Sequence, residues 1–230
     1  MCGRFDIHSA IELIAFLFQI DALSFDIVPN YNVAPAQNIP TVVNDGKKNI
    51  LISSRWGFLP SWTKEKKTAY PMINARGESV DTNKSYKDAF INHRCLVVAD
   101  GFYEWRKQER IKIPYYIRLK SKQPMAFAGL YNNWSSPEGE EICSSAIITT
   151  DANELVMPLH DRMPVILHQN DFKLWLDPNE HDRDALKALL KSFPSEELEA
   201  YRVTSKVNSA RYNAPENIEP ENTGFLPAQE

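Results

Sequence analysis

Residues 95–131 read CLVVADGFYEWRKQERIKIPYYIRLKSKQPMAFAGLY. Runs rich in β-branched and aromatic residues (95–100, 101–105, 113–119 and 124–131) are broken by charged stretches too short for helices, so they read as successive strands. ICSSAIITT (142–150) continues the pattern. Upstream, IPTVVNDGKKNILISSRWGF (39–58) predicts a hairpin turning at Asp45-Gly46. Downstream, MPVIL (163–167) and AYRVT (200–204) add two strands. Helices are few: 8–20 with Ser9 or His8 near its start, 83–92, one from DANELV (151–156) capped by Asp151, and two near 170–176 and 182–192. The expected fold is α+β, a single domain with a mixed, mostly antiparallel, barrel-like sheet core and peripheral helices. Its expected span is 1–213, with the proline- and glutamate-rich residues 214–230 a tail at most draped on the surface.

With 230 residues, 43% apolar and 24% charged, the chain has the make-up of a soluble globular protein. No apolar run approaches the roughly 20 residues of a membrane span. IELIAFLFQI (11–20) carries Glu12 and lacks a cleavage site, which argues against a secretory signal. Three cysteines, at 2, 95 and 143, offer neither a disulfide framework nor metal-ligand spacing, and a reducing cytoplasm is the simplest compartment. Phosphate-cradling glycine loops and the Gly-x-Ser-x-Gly elbow are missing, so no cofactor or metal is expected. The net charge of −4 speaks weakly against a nucleic-acid partner, yet residues 51–122 hold 15 Lys and Arg against 7 Asp and Glu. A basic face on an acidic body suits a polyanion. Simple solvation of those lysines gives the same count.

Four segments set polar groups in apolar or proline-shaped surroundings. MCGRF (1–5) puts Cys2 behind the initiator. Removal of Met1 would leave an α-amine of pKa roughly 7.7–8.0 and a thiol of roughly 8.5 on adjacent carbons, two nucleophiles in one residue. The competing view is an incidental residue on a frayed end. In PMINARGES (71–79), an extended chain would put Asn74 and Arg76 on one face, a place for an anion or an oxygen-rich ligand; an Arg76–Glu78 surface ion pair is the alternative. In ADGFYEWRK (99–107), Glu104 lies among large aromatics, which would raise its pKa toward that of a neutral-pH acid or base unless it faces outward. In MPLHDRMPVIL (157–167), His160 and Arg162 occupy a loop between prolines, a setting for a proton shuttle or for a merely structural histidine.

In this order, MCGRF, YNVAPAQ (31–37), RWGFLPSW (55–62), INARGES (73–79), ADGFYEW and LHDRMPV (159–165) resemble the SRAP (SOS response-associated peptidase) family of abasic-site processing proteins, with SKVNSARYN (205–213) resembling its closing segment. The resemblance spans nearly the whole chain. It implies binding to single-stranded DNA at an abasic site, autocatalytic removal of Met1 and a thiazolidine cross-link between Cys2 and the ring-opened sugar, shielding the lesion in the DNA damage response. By the same resemblance, Asn74 positions the reacting centre, Glu104 and His160 move protons, and Arg76, Arg4 and Arg162 contact DNA. Stacking, wedging and phosphate contacts are expected from Trp62, Lys64, Lys66, Lys67, Pro40 and Trp105. Some relatives carry two tryptophans in the loop where Thr63 follows Trp62 here, which weakens the expected wedge.

A monomer without membrane attachment is expected, cytoplasmic or nucleoid-associated if bacterial. Recruitment by replication-fork proteins is left open. Two alternatives stand beside this reading: a glutamine amidotransferase-like hydrolase with an N-terminal nucleophile, and a non-catalytic single-strand binding module.

Overall fold

The computed structural model describes residues 2–63, 72–109, 111–136 and 138–221. In chain order its elements are β1 (Phe5–Ile7), α1 (Ile11–Leu17), β2 (Ile20–Leu23), β3 (Asn30–Val33), β4 (Asn38–Asn44), β5 (Asn49–Trp56), β6 (Asn74–Arg76), α2 (Lys87–Asn92) and β7 (Arg94–Ala99). They continue with β8 (Gly101–Gln108), β9 (Ile111–Leu119), β10 (Met125–Ser135), β11 (Glu141–Asp151), β12 (Arg162–Pro164), β13 (Ile166–Leu167), α3 (Phe172–Leu176), α4 (Arg183–Ala188) and β14 (Leu198–Arg202).

Five strands close a barrel in the order β4, β5, β11, β10, β7 and back to β4. All its pairings are antiparallel except β5–β11, which run parallel and meet only at Arg55–Ser144 and Trp56–Ser145. Just beyond that contact β11 changes partner and pairs with β6, Ile147 to Thr149 against Asn74 to Arg76. Gly57 makes the sharp exit from β5 possible: its φ of +141° is open only to glycine at low cost. A second sheet, ordered β14, β9, β8, β1, β3, packs across the barrel. Phe5 of β1 meets Trp56 at 5.0 Å and Phe127 at 6.1 Å between ring centres, and Phe102 of β8 meets Phe127 at 6.0 Å. All four rings are buried, so these contacts join the two sheets through one apolar core. Within the barrel, the hydroxyls of Thr41, Ser54 and Ser145 satisfy one another at 2.7 and 2.8 Å.

The expected architecture and the 45–46 hairpin are present, with differences of local physics. The 8–20 helix is shorter, because Gln19 takes a left-handed φ of +51° and the chain returns as β2. Ser9 does not cap it; its hydroxyl and amide, with the His8 amide, all bond the carboxylate of Asp100. No helix begins at Asp151, which ends β11; Asn153 instead organises a turn, accepting from the Val156 amide at 3.0 Å. Residues 214–221 are packed rather than draped: Asn217 is wholly buried, Tyr201 donates to the Ile218 carbonyl at 2.8 Å, and Arg202 pairs with Glu221. Among the described residues no helix is long and apolar enough to cross a membrane.

Candidate active site

Cys2 lies at the meeting of the two sheets. The segment leading into β1 runs antiparallel to β8, with Phe5 opposite Phe102 and the Tyr103 amide bonding the Arg4 carbonyl at 3.0 Å. That register carries Cys2 toward Glu104, and the two groups are close enough for the carboxylate to disfavour the thiolate. Cys2 is fully buried; burial first, and Glu104 second, hold its thiol far above the ordinary range, so it stays protonated at neutral pH.

Asn74 reaches the same point from the barrel seam. Three bonds fix its backbone: Trp56 Nε1 donates to the Ile73 carbonyl at 3.0 Å, Tyr86 Oη to the Asn74 carbonyl at 3.0 Å, and the Ile147 amide to the Ile73 carbonyl at 3.0 Å. So held, Asn74 Nδ2 donates to the Cys2 carbonyl oxygen at 2.8 Å. Two positions on, Arg76 is exposed and without an ion-pair partner among the described residues. The Arg76–Glu78 pair is not made, because Glu78 is held by both terminal nitrogens of Arg162, at 2.6 and 2.9 Å.

Glu104 faces inward at 3% exposure, which settles its orientation against an outward-facing strand residue. Burial raises its pKa to about 7; Asp161 adds to the rise, and the positive amino terminus holds it partly down. A carboxyl group poised there exchanges a proton easily in either direction. His160 is half-buried, and partial burial with neighbouring positive charge lowers its pKa. Its Nδ1 sits 3.0 Å from the Arg162 amide and 2.7 Å from Asp161 Oδ1. The neutral ring accepts from the amide, and the protonated ring donates to the carboxylate, so both states have a partner.

The candidate DNA contacts are placed as follows. Arg4 is directed into the protein: its Nη1 bonds Asn32 Oδ1 at 2.6 Å and the Val207 carbonyl at 2.9 Å. Asn32 in turn donates to the Ser209 and Tyr212 carbonyls, so the segments around 4, 32 and 205–212 converge on one junction. Trp105 lies partly exposed beside it, with Arg4 5.8 Å from its ring centre and its Nε1 on Asn208. Arg162 spends its terminal nitrogens on Glu78, Asp151 and the Thr149 carbonyl. Trp62 is 58% exposed under the ammonium of Lys84. Pro40 is buried in β4 opposite Ser53, where it has no surface for wedging. Lys64, Lys66 and Lys67 lie outside the described residues.

Two supporting elements lie outside the residues singled out from the sequence. Tyr86 looks like any aromatic at a helix start, and only the fold takes its hydroxyl to Asn74. Asp6, His8 and Asp100 gather where β1 leaves β8, with His8 Nδ1 at 2.6 Å from Asp6. Asp6 is fully buried, and its pKa is pushed up to about 6 chiefly by that burial. The signal that could have found this cluster is the pair of polar residues alternating with Phe5 and Ile7 in FDIH.

The family model for SOS response associated peptidase (SRAP) matches residues 1–210, and the chain belongs to that family. It is 46% identical over 222 residues to the abasic site processing protein YoqW of Bacillus subtilis, covering 95% of this chain and 99% of that one. It is 34% identical over 220 residues to the abasic site processing protein HMCES of Xenopus tropicalis, covering 82% of this chain and 65% of that one. A crystal structure of a protein from Bacteroides thetaiotaomicron superposes with a TM-score of 0.85 at 26% identity, covering 96% of this chain and all of the other.

Proposed function

We propose that this protein processes abasic sites in single-stranded DNA by cross-linking itself to the lesion through Cys2 after releasing its own Met1. The observation that carries this reading is the convergence of Asn74 on the Cys2 carbonyl, with the buried Glu104 carboxyl beside it. The names borne by its relatives point to the same lesion.

Hydrolysis of the Met1–Cys2 peptide bond frees the Cys2 amine. The ring-opened abasic sugar presents an aldehyde. The amine adds to that carbon, and Glu104 in its protonated form gives a proton to the departing hydroxyl, so water leaves and an imine remains. The Cys2 thiol then adds across the C=N bond: sulfur bonds to carbon, its proton passes by way of a neighbouring base to nitrogen, and a five-membered thiazolidine closes. Burial suits this order, because a thiol held protonated leaves the first attack to the amine. His160, neutral at pH 7, serves as the second base during sugar ring-opening. Asn74 holds the Cys2 main chain so that amine and thiol meet one carbon. Arg76, exposed and unpaired among the described residues, takes the phosphate beside the lesion, with Trp105 and Trp62 as stacking surfaces. Arg4 and Arg162, held by Asn32, Val207, Glu78 and Asp151, brace the segments around the site instead of contacting the strand.

The test is intact mass spectrometry before and after mixing with a single-stranded oligonucleotide carrying one abasic site. Loss of Met1 and an adduct that survives denaturation without borohydride are expected. A chain that has lost Met1 yet forms no adduct would overturn the reading.

A further inference from the structure

The β8–β9 hairpin runs outward from Glu104, and two of its residues are arranged at a cost. Lys107 and Lys112 stand directly opposite one another across the strands. Both are exposed, and neither has a hydrogen-bond or ion-pair partner among the described residues. Opposed side chains of a strand pair lie about 5 Å apart, where like charges destabilise the pairing. Strand alternation puts Trp105 on the same face as Lys107, while Arg106 points the other way, over the ring of Tyr115 at 5.7 Å. Lys107 is also near enough to His160 to work against its protonation. It lies three positions beyond Glu104 along β8, a rise of about 10 Å. The acidic residue of this tip, Glu109, sits at the turn with a φ of +51°.

An aromatic face followed by two unneutralised ammonium groups is the combination that holds single-stranded nucleic acid: the ring takes a base and the cations take the backbone. We infer that the outer face of this hairpin, formed by Trp105, Lys107 and Lys112, is a second nucleic-acid contact, in which a phosphodiester seats between the two lysines on the strand leaving the Cys2 site. The anion turns the repulsion between the lysines into a shared attraction. The inference rests on the reading that the Cys2 site acts on DNA, and it adds the path the strand follows away from that site.

The test is the double variant Lys107→Gln/Lys112→Gln in the full chain, bound to an undamaged single-stranded oligonucleotide across a salt series. Each phosphate contact on a single strand contributes about 0.7 to the slope of log affinity against log salt, and the two lysines share one phosphodiester, so losing both should reduce that slope by about 0.7. Because the variant removes a like-charge pair, it should melt at or above the temperature of the unmodified chain. An unchanged slope overturns the inference, and a lower melting temperature overturns the repulsion on which it stands. Adduct formation by the unmodified chain is measured in parallel. A reduced slope without any adduct keeps the hairpin contact and removes the Cys2 chemistry; an adduct with an unreduced slope does the reverse.

Discussion

Asn74 and Cys2 are 72 residues apart in sequence and joined by one hydrogen bond, from Asn74 Nδ2 to the Cys2 carbonyl oxygen at 2.8 Å. The bond needs a donor, which only the amide nitrogen supplies. Asn74→Asp, nearly identical in shape, should therefore fail much as Asn74→Ala does. Both should slow adduct formation by roughly 10- to 100-fold at saturating DNA, the range expected when a reacting group loses its orientation. A quenched time course reads the rate, and an Asn74→Asp variant as fast as the parent would show that the bond is incidental.

In the proposed reaction Cys2 supplies two nucleophiles once Met1 is removed, and two substitutions separate them. Cys2→Ser keeps the amine and replaces the thiol by a weaker nucleophile. It should give an imine that borohydride traps but that dissociates otherwise. Cys2→Ala should likewise lose the stable adduct while retaining noncovalent DNA binding, since Arg76 is untouched. Denaturing gels with and without borohydride distinguish the products. A borohydride-independent adduct from either variant would place the chemistry on another residue.

Glu104 has a proton affinity in the fold well above its ordinary value, with a pKa of about 7 against 4.5, mainly through burial. Between those values the folded state holds more protons than the unfolded one, so stability falls as pH rises through that window. Above about pH 7 the penalty is complete, on the order of 3 kcal/mol. Glu104→Gln removes it. Relative to the parent, the variant should gain in melting temperature from pH 5 to pH 8, while its cross-linking slows and loses the inflection near pH 7. Parallel melting curves across that range would show that the carboxyl is not buried as described.

Gly101 is the residue of ADGFYEW that allows β9 to close on β8. A β-carbon there would stand 2.4–2.6 Å from the ring and hydroxyl of Tyr116, which is itself fully buried. Gly101→Ala should cost at least about 2 kcal/mol by overpacking. It should also perturb the neighbouring β1 register that positions Cys2. Urea denaturation measures the first effect. A stability loss under 0.5 kcal/mol would mean that the sheet yields more readily than its packing implies.

What the sequence made legible follows from where the determining contacts lie. Strands β7 to β11 and the Asp45-Gly46 hairpin are written in local alternation and turn chemistry, and they were readable. The alternation of Asn74 and Arg76 around the buried Ala75 was readable for the same reason. The helix expected after Asp151 failed because Asn153 bonds its own turn and Asp151 is drawn to Arg162, a residue on another strand. The packing of Asn217 was hidden because its Nδ2 donates to the Tyr212 carbonyl, a contact that no local pattern reports. Arg4 and Arg162 show the same limit: a guanidinium in a motif does not say whether it faces solvent or, as here, Asn32 and Glu78.

The edge of β11 is shared in sequence by two parallel neighbours, β5 for two residue pairs and then β6 for three. A two-pair closure, the one parallel joint of the barrel, therefore adjoins the strand on which Asn74 rides. Hydrogen exchange should find this seam opening at a lower free energy than the antiparallel ring around it. Each such opening withdraws the Asn74 amide from Cys2 while leaving most of the core intact. In mild urea the protein should then pass through conditions in which it is still folded by fluorescence and already unable to cross-link, because the proposed chemistry rests on this two-pair joint.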